Sequence, residues 1–159
     1  MISQRARYAF KALIVLGRAG KGTGMQIRDI ATREQIPRKF LEQILLTLKA
    51  GGLITSRRGR EGGYALLKNP EDISLGSVLR MIDGPIAPLP CLSRTAYRKC
   101  DDCPSEELCA VRAGFAEAYD ASLRVLEATT IAQAIKAAQG GRQRRRMPGT
   151  RASVAQKSL

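Results

Sequence analysis

All four cysteines of this 159-residue chain fall within nineteen residues, Cys91, Cys100, Cys103 and Cys109, in the spacing C-x8-C-x2-C-x5-C. Thiols so close in sequence can fold around one centre. Four thiolates can hold an iron–sulfur cluster of the 2Fe-2S or 4Fe-4S type, or a single zinc ion, and without metal they can pair as a redox switch. Arg94, Arg98, Lys99 and Arg112 are interleaved with the thiols, and are expected to offset thiolate charge and depress the thiol pKa values. Histidine is absent, which removes the commonest nitrogen ligand and general base. With no phosphate-binding loop and no nucleophile beside a base, an enzyme is not expected.

Composition limits the partners. Lys and Arg number 27 against 14 Asp and Glu, for a net charge of +13. Six of the cations (Arg142, Arg144, Arg145, Arg146, Arg151 and Lys157) lie in the last eighteen residues, and removing them leaves 21 against 14. The basic character therefore belongs to the body of the chain and points to nucleic acid. No run approaches the roughly 20 apolar residues of a membrane span, so no membrane partner and a cytoplasmic location are expected. In that compartment clustered cysteines are metal ligands or redox thiols before they are structural disulfides.

The elements that must position the thiols follow from periodicity. Ser3 caps a helix with Tyr8, Ala9, Ala12, Leu13 and Leu16 at helical spacing, closed by Gly17 and the Gly20–Gly24 run. A short helix from Met25 buries Ile27, Ile30 and Ala31. A second helix runs from Pro37, in its first turn, to Ala50, with Phe40, Leu41, Ile44, Leu45 and Leu48 as its stripe. The tight break between them makes a helix-turn-helix, with Arg38, Lys39, Glu42 and Gln43 outside the stripe. Two short apolar strands then flank a turn rich in glycine and arginine, with Arg57, Arg58 and Arg60. A basic hairpin after such a helix is the wing of a winged helix, and its arginines can meet phosphates.

Ser74 caps a further helix that carries Leu75, Val78, Leu79 and Ile82 and ends at Gly84. From Ser105 to about Leu126 the positions Leu108, Val111, Phe115, Tyr119, Ser122 and Leu126 make one stripe, suited to pairing with a second copy. Ile131, Ala134, Ile135 and Ala138 form a short final helix. The expected organisation is a mostly α chain. It has a winged helix-turn-helix with a two-stranded wing over 1–84, a cysteine-rich sensor loop over 85–104, a long dimerisation helix and short final helix over 105–139, and a basic disordered tail over 140–159.

These pieces resemble the Rrf-two family of bacterial transcription regulators, of the IscR, NsrR, RirA and CymR types. The resemblance covers about residues 2–138. It rests on Arg7-Tyr8-Ala9, on Ile36-Pro37 with Phe40-Leu41-Glu42-Gln43-Ile44-Leu45, on Leu48-Lys49-Ala50-Gly51-Gly52-Leu53, and on the run Ser56-Arg57-Arg58-Gly59-Arg60-Glu61-Gly62-Gly63-Tyr64. It implies a homodimer that reads a palindromic operator in double-stranded DNA, and the expected role is that of a repressor. Glu42 would be the base-reading acid and Arg58 the wing contact. It also implies an iron–sulfur cluster on Cys91, Cys103 and Cys109. Arg112 stands where one branch of the family has a histidine, and Cys100 is the natural replacement ligand. The CymR-type members imply the alternative, a thiol switch without a cluster, acting with an enzyme of sulfur metabolism.

Overall fold

The structure is a computed structural model and describes residues 2–59 and 62–146. Six α-helices and one hairpin follow in the order α1 (Gln4–Ala19), α2 (Ile27–Glu34), α3 (Arg38–Ala50), β1 (Ile54–Arg57), β2 (Gly63–Leu66), α4 (Leu75–Asp83), α5 (Ala110–Ala128) and α6 (Ile131–Arg146). The Ser3 hydroxyl accepts from the Ala6 N–H at 2.9 Å and starts α1. Three alanines on its buried face, Ala6, Ala9 and Ala12, let neighbouring helices approach closely, while Leu13, Val15 and Leu16 fill the interior. Pro37 stands one residue before α3, as its cap, rather than in its first turn. Leu41, Ile44, Leu45 and Leu48 of α3 are fully buried, as their spacing predicts. Phe40 is not part of that stripe. It is 41% exposed and meets Tyr8 edge to face, with ring centroids 5.8 Å apart.

The hairpin is antiparallel, with Ile54 opposite Leu66 and Arg57 opposite Gly63. Met25 and Tyr64 exchange both backbone hydrogen bonds at 2.9 Å, which docks β2 on the segment before α2. This close approach needs a glycine beside it. Gly63 has φ of 123°, and a Cβ there would lie 2.4 Å from the Met25 carbonyl oxygen.

Two departures concern the C-terminal half. The expected helix from Ser105 begins at Ala110. Residues 105–109 form a turn in which the Cys109 N–H donates to the Glu106 carbonyl at 3.4 Å. Cys109 is thus the cap of α5 and not a member of its first turn. The final helix also packs on the head, the winged helix-turn-helix that ends with α4. The Leu75 N–H donates to the Thr129 carbonyl at 2.8 Å and the Ile131 N–H to the Ile73 carbonyl at 2.9 Å, so the α5–α6 junction lies beside the start of α4. Ile131 is fully buried with the head's core residues. α6 continues to Arg146, past the expected end at 139 and through Gly140 and Gly141. Residues 147–159 of the expected tail lie outside the described residues.

Arg80 of α4 and Glu127 of α5 form an ion pair, with the Ser74 hydroxyl also donating to Glu127. The hydrogen bond from Arg80 is the main reason the Glu127 carboxyl is held below the ordinary glutamate range, against a partial desolvation that raises it. A depressed folded-state pKa contributes stability above the unfolded value and loses it as pH falls through the folded one. Melting temperature should therefore fall on acidification below the ordinary carboxylate range, and Glu127→Gln should flatten part of that fall. Because the pair is partly exposed, the effect is at most about 1 kcal/mol. Ile131→Ala should cost about 2–5 kcal/mol in denaturant unfolding, as for a fully buried aliphatic side chain.

Candidate functional site

One face of the head gathers the polar residues expected to meet DNA. Arg38, Lys39 and Gln43 of α3 are exposed, with Glu42 half-buried beside them. Arg38 Nε lies 3.3 Å from Glu42 Oε1, an i,i+4 pair on the surface. Such a pair is weak, so a DNA base can compete for the carboxylate. Arg5 of α1 donates to Thr47 Oγ1 at 2.8 Å, and Lys49 Nζ donates to Ser56 Oγ at 2.7 Å, which ties the end of α3 to β1. Arg57 and Arg58 at the end of β1 are exposed, and Arg60 lies outside the described residues.

The structure adds two residues to this face. The Gln26 side-chain amide donates to the Gly62 carbonyl at 3.1 Å and to the Gly59 carbonyl at 3.4 Å. It thereby fastens the wing's turn to the start of α2. No sequence pattern marks a lone glutamine in a loop. Leu46 is the other addition, 55% exposed on α3. Its signal was present, since an apolar residue that falls off the stripe of its own helix calls for an explanation.

The cysteine segment is built from short turns. Cys91 sits in a 3-10 turn, Pro90–Leu92, and is buried, while Cys100, Cys103 and Cys109 are half-buried. The Arg98 N–H returns to the Pro90 carbonyl at 3.2 Å and the Cys103 N–H to the Cys100 carbonyl at 3.2 Å. These bends bring the thiols within mutual influence. Desolvation raises the Cys100 thiol pKa, with further upward contributions from the charge and hydrogen bond of Cys91 and the charge of Cys109. Desolvation likewise raises Cys103, followed by the charges of Cys109 and Cys100, with only Lys99 opposing.

The direction is opposite to the expected one. Arg94 is engaged with Asp120 at 2.9 Å, and Arg112 is near Glu106 at 3.7 Å, so their charge is spent on carboxylates. Tyr97 also donates its hydroxyl to Glu106, and that bond raises the phenol's pKa. The Cys109 sulfur accepts from the Arg112 N–H at 3.4 Å at the start of α5. Among the described residues no group of three or more His, Cys, Asp or Glu side chains is spaced to hold a single metal ion. The four cysteines are therefore near one another in the segment without forming such a group, and the influence of the neighbouring thiols is felt at Cys100 and Cys103.

α5 divides its apolar residues between two surfaces. Tyr119 and Leu123 are buried against the chain's own head, so Tyr119 does not belong to a partner-facing stripe and Leu123 was missed. Leu108, Val111, Phe115 and Val125 are exposed. Phe115, Ala118, Ser122 and Leu126 line a groove of about 570 Å³ with Ile2, Leu79 and the Pro85–Pro88 segment.

The family model described as an iron-dependent transcriptional regulator, Rrf2, matches residues 2–137. An rrf2-like helix-turn-helix regulator of Rhodobacter capsulatus is 48% identical over 134 residues, covering 82% of this chain and 89% of that protein. The helix-turn-helix regulator NsrR of Geobacillus kaustophilus is 30% identical over 135 residues, covering 85% and 89%. The solved structure of CymR, the global cysteine regulator of Bacillus subtilis, superposes with a TM-score of 0.71 at 30% identity, covering 86% of this chain and 96% of that one. With its winged helix, its helix-turn-helix surface and a family match over most of its length, the chain belongs to the Rrf2 family of transcriptional regulators.

Proposed function

We propose that this DNA-binding regulator is a homodimeric repressor whose four-cysteine segment is its sensor. The observation that carries the reading is the position of Cys109. It caps α5 at one end, and the other end of α5 is hydrogen-bonded to the head through Thr129 and Ile131. A change at the thiols would be felt along α5. With the exposed row of Leu108, Val111, Phe115 and Val125 buried against a second copy, that change alters the spacing of two heads, which is what a palindrome reads.

In the favoured form Cys91, Cys100, Cys103 and Cys109 would hold a 2Fe-2S or 4Fe-4S cluster. When bound, the cluster supplies a cross-link among four thiolates that oxygen or nitric oxide can break. The chain's own part is to gather the sulfurs, keep Cys91 from solvent and transmit their arrangement through the α5 cap. A second reading, a thiol switch without metal and with a sulfur-metabolism enzyme as partner, is favoured by the lack of a three-ligand group among the described residues and by the similarity to CymR. Anaerobic purification separates the two. Visible absorbance with near-stoichiometric iron and sulfide, lost in Cys100→Ser, supports the cluster with Cys100 as fourth ligand. A colourless protein whose thiols pair on oxidation supports the switch.

On the DNA side, Glu42 reads base edges while Arg57, Arg58 and Arg60 meet the backbone at the flank. Glu42→Ala should relax base preference in a footprint. Arg58→Ala should weaken binding across sequences and reduce the slope of log K against log salt by about one. Footprints unchanged by both variants would contradict these roles. Gln26→Ala should free the wing and weaken binding to any duplex with little change in melting temperature. If affinity is unaltered, the glutamine does not position the wing for DNA.

A further inference from the structure

We propose that Leu46 is a specificity-determining residue that reads the C5-methyl group of a thymine in the major groove. The inference rests on the reading of α3 as the recognition helix and deepens it. At 100° per residue, the buried Leu41, Ile44, Leu45 and Leu48 mark one side of α3. Leu46 projects from the opposite side, with Lys39, Glu42 and Gln43 as its neighbours on that face. It follows Glu42 by four residues, one turn and about 6 Å along the axis.

A lone exposed leucine is unremarkable on most surfaces. The position is what distinguishes this one. The other large exposed apolar residues among those described lie on α5 or in loops, at Ile2, or at Phe40, whose ring packs on Tyr8. Leu46 is the large apolar side chain on the outward face of α3, the face that a recognition helix turns toward base edges. Polar neighbours there serve hydrogen-bond donors and acceptors. Glu42 suits the N4 amino group of cytosine, and the amide of Gln43 suits adenine. The thymine methyl is the one apolar group that a base pair presents in the major groove. Only an apolar side chain gains by covering it, and on this face Leu46 is that side chain.

The test uses duplexes selected by the full-length protein from a random-sequence library. In each selected duplex the thymines are replaced one at a time by deoxyuridine, which removes only the methyl group. Wild type should bind about fourfold more weakly at one thymine per half-site, the equivalent of one buried methyl-sized group. Leu46→Ala, which keeps an excellent helix former at an exposed position, should melt as wild type does and show no discrimination there. The proposal is overturned if the two proteins respond alike to deoxyuridine at every position. If Glu42→Ala selects new sequences while Leu46→Ala keeps the wild-type preferences, only the Leu46 assignment fails. If both variants select the same sequences as wild type, the recognition-helix reading falls and takes the Leu46 assignment with it.

Discussion

Two backbone hydrogen bonds, from Leu75 to Thr129 and from Ile131 to Ile73, fix where α5 ends relative to the head. Much else depends on that junction. It allows Ile131 to enter the core beside α1, and it sets Glu127 within reach of Arg80 and Ser74. α5 thus has one end hydrogen-bonded to the start of α4 and the other capped by Cys109.

The electrostatics of the thiol segment run against the simplest reading of its composition. Arginines and lysines surround the cysteines in sequence, but Arg94 and Arg112 are engaged by Asp120 and Glu106. Desolvation is then the largest of the causes that raise the thiol pKa at Cys100 and Cys103. The head shows a parallel economy. Arg5, Lys49 and Gln26 are used to hold α3 and the wing in fixed relation, while Arg57 and Arg58 remain exposed.

Much of this was legible from residues alone. The caps at Ser3 and Ser74, the stripe of α3 and the two-stranded wing follow from local rules, in which each residue's neighbours in sequence are its neighbours in space. The four cysteines announced themselves by spacing. What failed were assignments that depend on which of two apolar faces a helix buries. Tyr119 and Phe40 fit their stripes by periodicity, yet Tyr119 packs on its own head and Phe40 remains on the surface with Tyr8. The start of α5 was misplaced because Ser105, Glu106 and Glu107 form a good helix start locally, whereas the turn closed by Glu106 and Cys109 delays it.

The sequence by itself determined the winged helix-turn-helix, the basic character of the chain and the clustering of the four cysteines, because helix periodicity, turn chemistry and cysteine spacing are properties of the chain. Tertiary structure decided the rest. It turned α6 back onto the core, consumed the arginines that were to activate the thiols, and made Gln26 the fastening of the wing. Each of these depends on contacts between residues far apart in sequence, and no local pattern encodes such contacts.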